Sequence, residues 1–108
     1  MILEAAVIVI KAGQREAFEG AYAQASRVIA SAQGYVSHEL QRSVDNPGRY
    51  LLLVQWRTRD DHMIGFRESP LFTQWRALVG PYFDAAPNVD HLERVPGGAG
   101  LNAANARG

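Results

Sequence analysis

A chain of 108 residues makes a single domain, and a domain of that size buries only about two-thirds of the surface its unfolded chain exposes. Eleven basic residues balance eleven acidic ones, which leaves no basic stripe for a nucleic-acid backbone. The chain has no cysteine, so disulfides, thiolate nucleophiles and Cys-based zinc or iron–sulfur sites are excluded, and a reducing cytoplasm is the expected compartment.

The first segment, residues 2–10 (ILEAAVIVI), is apolar on both alternating faces except at Glu4, the pattern of a central strand covered on both sides. It is too short to span a bilayer and has no basic leader, so no membrane partner is expected. Residues 14–32 then read as a helix, with Phe18, Tyr22, Ala25, Val28 and Ile29 on one stripe and Gly34 placed to end it. Residues 35–44 (YVSHELQRSV) alternate, with Val36, His38, Leu40, Arg42 and Val44 on one face. That half-polar strand suits a sheet edge. The turn signal DNPG leads into RYLLLVQW, again apolar on both faces, and the two strands should pair as an antiparallel hairpin.

Thr58 or Asp60 can cap a short helix that follows, and Ser69-Pro70 opens a second helical piece running to about Phe83. Its inner face carries Leu71, Phe72, Trp75, Leu78, Val79 and Tyr82. NVDHLERV is a last strand, and residues 96–108 form a Gly- and Ala-rich tail, mobile or held by a partner, outside a domain spanning residues 1–95. The order β-α-β-β-α-β predicts an α+β fold with a four-stranded antiparallel sheet. Right-handed crossovers put the first and third strands in the middle. Two helices cover only one face of such a sheet, and the other face is still apolar, so a second copy of the chain is the expected partner.

The segments GYVSHELQRSVDNPGRYLLLVQW, DDHMIGFRESPLFTQWRALVGPYF and NVDHLERV, with a Ser-Pro break in the second helical region and a strand ending at Trp56, resemble the antibiotic biosynthesis monooxygenase domains. The resemblance runs from Ile2 to Val95. It implies a ferredoxin-like fold, a homodimeric α/β barrel and a pocket between sheet and helices in each subunit. Some members of that family oxygenate quinols, anthrones or related polyphenols without metal or flavin. Others degrade haem, isomerise small ketones or have no known activity, so fold alone does not fix the chemistry. The haem-degrading branch uses an Asn, a Trp and a ligating His, and those positions here are Ala6, Phe66 and Arg76. Haem degradation is therefore not expected.

The resemblance implies a cofactor-independent monooxygenase acting on a small aromatic, quinol or polyphenol-type molecule. The alternatives are a non-catalytic or stress-related binding dimer, or a small-ketone isomerase or decarboxylase on the same fold. Cofactor-free oxygenation needs a base, a donor for an oxyanion and a dry aromatic pocket. The candidate catalytic residues are His38, His62 and Arg67. His38 is expected to point toward the helices, into a cavity bordered by the aromatics, and His62 to sit at its mouth one helical turn before Phe66. Phe66, Phe72, Trp75 and Tyr82 are the candidate substrate-binding residues, and Arg76 is a further cation on the same helical region. His91 is expected to play a structural role, facing the dimer interface. His38 and His91 fall on opposite sheet edges and should not converge, so no metal site is expected.

Overall fold

The computed structural model describes residues 1–98, 100 and 101; most of the expected tail, residues 99 and 102–108, lies outside the described residues. Strand β1 (Ile2–Val9), helix α1 (Arg15–Ala30), β2 (Tyr35–Arg42), β3 (Arg49–Trp56), a π-helical turn (Asp61–Phe66), helix α2 (Pro70–Val79), a 3-10 turn (Gly80–Tyr82) and β4 (Asn88–Leu92) follow in chain order. The four strands form one antiparallel sheet in the order β2-β3-β1-β4. The ferredoxin-like α+β fold, with the two apolar strands central and the half-polar ones at the edges, is as the sequence predicts.

One face of the sheet packs under the helices. Ala6 and Ile8 of β1 and Tyr50, Leu52, Val54 and Trp56 of β3 are buried there against Phe18, Ala25 and Ile29 of α1 and Trp75 and Val79 of α2. The opposite face carries Leu3, Ala5 and Val7 of β1 beside Leu51 and Leu53 of β3, all half-buried within the chain alone.

Local sequence sets three features that matter for the site. The bulge between Tyr35 and Ser37 in β2 adds a residue without a partner, so Tyr35, His38 and Leu40 share the helix-side face and Val36 is left exposed. The simple alternation that put Val36 on the face of His38 fails there. The segment after Thr58, whose hydroxyl accepts the Asp61 N–H at 3.1 Å, winds as a π-helix, with the Arg67 N–H bonded to the His62 carbonyl at 2.9 Å, five residues back. Ser69 sits in extended backbone just before Pro70, as expected of an N-cap, yet its hydroxyl donates back to the Phe66 carbonyl at 2.7 Å and ties the two helical pieces together.

Gly34 closes the turn after α1 in the left-handed region, at φ +83°, and a Cβ there would collide with the Asp61 carboxylate at the start of the π-helix. Its carbonyl accepts the Arg57 N–H at 2.8 Å, which holds this turn to the end of β3. Gly20, inside α1, has open space where a Cβ would stand. Gly20→Ala should raise stability by roughly 0.5–1 kcal/mol through helix propensity and reduced unfolded-state freedom. Gly34→Ala should lower it by about 1–3 kcal/mol. Urea denaturation of both variants checks the pair, and opposite signs are the expected result.

Candidate active site

A cavity of about 420 Å³ opens between the helix-side face of the sheet and the second helical region. Glu4 and Ala6 of β1 and Val89 of β4 form its floor, His62 and Phe66 of the π-turn with Phe72 and Trp75 of α2 form its walls, and Arg67 and Arg76 stand at its exposed margin. Phe66 and Phe72 meet edge to face with centroids 5.6 Å apart, and Phe72 and Trp75 stack at 6.0 Å. The Trp75 indole N–H is enclosed and has no hydrogen-bond partner among the described residues.

The polar centre is a buried chain of three side chains. Glu4 interrupts the apolar face of β1 and is only 5 % exposed. Its Oε1 accepts the Trp56 indole N–H at 2.9 Å and lies 3.3 Å from Nε2 of His62. His62 is 3 % exposed, stacks on Trp56 with centroids 5.2 Å apart, and its Nδ1 lies 2.9 Å from Nε2 of His91 on β4. With both imidazoles neutral and Oε1 of Glu4 accepting, the directions are fixed: His91 Nε2–H donates to His62 Nδ1, and His62 Nε2–H joins the indole in donating to Glu4. Oε2 of Glu4 accepts none of these bonds and is the oxygen left to take a proton.

Burial dominates the ionisation of this chain. It pushes the Glu4 carboxyl up from 4.5 to about 7, against the opposing pull of the Trp56 hydrogen bond and the Arg67 charge. It pushes His62 down from 6.5 to about 4, assisted by the nearby His91, Arg67 and Arg59. His91 is lowered as well, mainly by burial. Near neutrality the site therefore holds two neutral imidazoles and a carboxyl poised to gain or lose a proton, the condition that suits a general base.

The expected site residues divide. Phe66, Phe72, Trp75, Arg67 and His62 come together around the cavity. His62 lies in its wall, fully buried, and not at a solvated mouth: the π-turn rolls it inward onto Trp56, and its ring stacks over Phe66 at 6.3 Å. His38 does face the helix side, but it lines a separate shallow groove with Tyr22, Glu19 and Tyr50, where the Tyr22 hydroxyl lies 2.6 Å from its Nδ1. The strand order places β2 two strands away from β1's Glu4 and on the far side of β3, so His38 does not line this cavity. Tyr82 is carried off the lining by the 3-10 turn, and Phe83 takes its place. His91 points inward to His62 instead of toward a dimer interface, because its register partner on β1 is Glu4. In the sequence Glu4 reads only as a break in an apolar strand. A lone carboxylate in a central strand is the signal that could have found it, since a buried charge persists only where donors surround it.

His62 and His91 do approach each other, but as hydrogen-bonded rings, and no three His, Cys, Asp or Glu side chains among the described residues are grouped to hold a metal ion. The positions aligned with the haem branch, Ala6, Phe66 and Arg76, all line the cavity and offer neither its Asn, its Trp nor its ligand.

This fold is that of a class of small ferredoxin-like α+β domains, and comparison with known proteins gives the family. The sequence model described as antibiotic biosynthesis monooxygenase matches residues 1–78, and the chain belongs to that family. It is 39 % identical over 95 residues to the uncharacterized protein YczJ of Bacillus subtilis, covering 88 % of this chain and 100 % of that one. A Bordetella bronchiseptica protein bearing the same family description superposes with a TM-score of 0.85 at 41 % identity, over 87 % of this chain and 96 % of that one. SnoaB of Streptomyces nogalater, a cofactor-independent oxygenase, shares the fold with a TM-score of 0.71 at 17 % identity, over 86 % of this chain and 91 % of its own.

The chain from Glu4 to His91 predicts an unusual pH response. The raised folded pKa of Glu4 makes its contribution to stability complete below about 4.5 and lost as pH rises through about 7. The depressed folded pKa of His62 makes its contribution complete above 6.5 and lost as pH falls through about 4. The two oppose each other between these limits, so wild-type stability should change little across that window. In Glu4→Gln the opposing contribution is gone while those of His62 and His91 are left, and the urea midpoint should fall as pH drops from 6.5 toward 4. Carbon-13 titration of the wild-type carboxyls should show one apparent midpoint near 7; a set of midpoints all near 4.5 would contradict the burial of Glu4.

Proposed function

We propose that the protein is a cofactor-independent monooxygenase of the cytoplasm whose substrate is a small electron-rich aromatic of the quinol or polyphenol type. The observation that carries this reading is the buried Glu4–His62–His91 chain opening into an aromatic-walled cavity. A volume of about 420 Å³ falls in the range of small-molecule sites. Family membership and the fold shared with the cofactor-independent oxygenase SnoaB support the same chemistry.

In this scheme Oε2 of Glu4 takes a proton from the substrate, and His62 holds the carboxylate through Oε1. The substrate anion passes an electron to dioxygen, and the two radicals combine to a peroxide on the ring carbon. Where that ring carbon bears a hydrogen, Glu4 returns its proton to the peroxide and the O–O bond breaks with loss of that hydrogen: one oxygen stays as a carbonyl, the other leaves as water, and the substrate supplies every electron. The aromatic walls keep bulk water from the reactive anion.

The same reading includes a homodimer. Leu3, Ala5, Val7, Leu51 and Leu53 make a continuous apolar strip on the sheet face away from the helices, and a second copy covers it with the same strip. Light scattering at micromolar concentration should return about twice the chain mass, and Leu53→Lys should return the mass of one chain.

Oxygen uptake against a panel of hydroquinones, anthrones and flavonols, with and without chelator, tests the chemistry. Glu4→Gln should lower turnover by about a hundredfold or more, the usual cost of losing a general base, whereas His38→Ala should leave it close to wild type. Loss of turnover in His38→Ala with retention in Glu4→Gln would reverse the assignment.

A further inference from the structure

Two cations stand at the margin of the cavity with no ion-pair partner among the described residues. Arg67 follows the π-turn and Arg76 lies on α2, so they reach the same place from different elements. Both guanidinium groups sit against the ring of Phe72, at 5.2 Å and 5.9 Å from its centroid. Both line the cavity. The ion pairs among the described residues are Arg42–Glu19 and His62–Glu4, so no described carboxylate, the adjacent Glu68 included, neutralises either arginine. Arg67 also acts inward, since its charge bears on both Glu4 and His62.

Exposed arginines are ordinarily solvated and carry little information. These two differ because one aromatic ring holds both. A guanidinium against a ring face is engaged through its own face, which leaves the N–H edge free to form paired hydrogen bonds with a planar anion. Carboxylate is the group whose geometry fits the guanidinium edge, and the aromatic walls of Phe66 and Trp75 behind Phe72 take a flat ring.

We infer that the cavity takes a small aromatic carboxylate, with its carboxylate on the Arg67–Arg76 pair and its ring directed inward toward Phe66 and Trp75. Resting on the oxygenase reading, the substrate is then a hydroxylated arene acid whose ionisable hydroxyl faces Glu4. The carboxylate acts as a fixed anchor: it is bound before and after the reaction and sets which ring position meets the base.

Calorimetric titration with 2-naphthoate and 2-naphthol tests the anchor without any turnover, because the two probes share a ring system and differ in charge at neutral pH. Wild-type protein should bind naphthoate about tenfold more tightly, equivalent to about 1.4 kcal/mol, and raised ionic strength should erode that preference. Arg67→Ala and Arg76→Ala should each reduce it, and the double variant should abolish it while still binding 2-naphthol. Circular dichroism of the double variant verifies that it is folded. Equal affinity for the two probes in the wild type, or a preference that survives in the double variant, overturns the inference. Oxygen uptake with a neutral naphthohydroquinone separates it from the reaction: uptake without a naphthoate preference sinks the anchor alone. A naphthoate preference without uptake on any arene acid supports the anchor and sinks the oxygenase reading. Failure to bind either probe sinks the cavity as a ligand site and both readings with it.

Discussion

A carboxylate in the middle of a β-sheet is the constraint around which this molecule is arranged. Glu4 lies on the helix-side face of a central strand, where a side chain cannot reach bulk water. An unpaired charge there would cost several kcal/mol, so donors have to come to it. The Trp56 indole, at the end of the neighbouring strand, supplies one. The second comes from His62, and bringing an imidazole to that depth requires the chain after β3 to wind inward as a wide turn. His91 then completes the chain from the other neighbouring strand. Three elements far apart in sequence are thereby tied to one oxygen-bearing side chain.

The same arrangement explains why the cavity is where it is. A π-turn spreads the backbone by one residue, which stacks His62 over Phe66 and leaves Arg67 to emerge at the margin. The hydroxyl of Ser69 returns to the Phe66 carbonyl, and Pro70 starts α2 in a new direction. Phe72 therefore meets Phe66 of the π-turn edge to face with Trp75 stacked behind it, and these rings wall one side of the cavity. Acidic, aromatic and cationic groups are layered from the sheet outward, so a ligand entering ring-first meets apolar walls before it meets Glu4.

A small domain with a hollow of this size sacrifices packing, because each unfilled volume in a core loses dispersion contacts and transfer free energy. The apolar strip on the other sheet face offers compensation: covering Leu3, Val7, Leu51 and Leu53 would add buried area that the chain cannot generate within itself. The core under α1 is by contrast tightly filled, with Phe18 edge-on to Tyr50 at 4.8 Å. The cavity with Glu4 thus lies on the other half of the sheet. His38 lies on the half under α1, with its Nδ1 2.6 Å from the hydroxyl of Tyr22, a phenol whose pKa burial pushes up.

Much of the fold was legible in the residues. Two strands apolar on both faces, two half-polar ones and two amphipathic segments in the order β-α-β-β-α-β leave few arrangements, and the helix break at Ser69-Pro70 follows from local backbone preference. The aromatics on the second helical region and the pair His62 and Phe66 were also within reach, because helical spacing relates residues close in sequence. What spacing could not supply were relations between distant segments. Whether His62 meets solvent or Glu4 depends on a turn that winds as π instead of α, a choice made by packing against Trp56. Which face Tyr35 and Val36 take depends on a bulge that period-two alternation does not contain. That His91 meets His62, and His38 meets Tyr22, depends on strand register and on which half of the sheet each helix covers. Sequence alone thus determined the elements, their order and the apolar surfaces, since those follow from local preference and periodicity. The tertiary structure alone decided which ionisable groups share one buried site, because that is set by contacts made across the whole length of the chain.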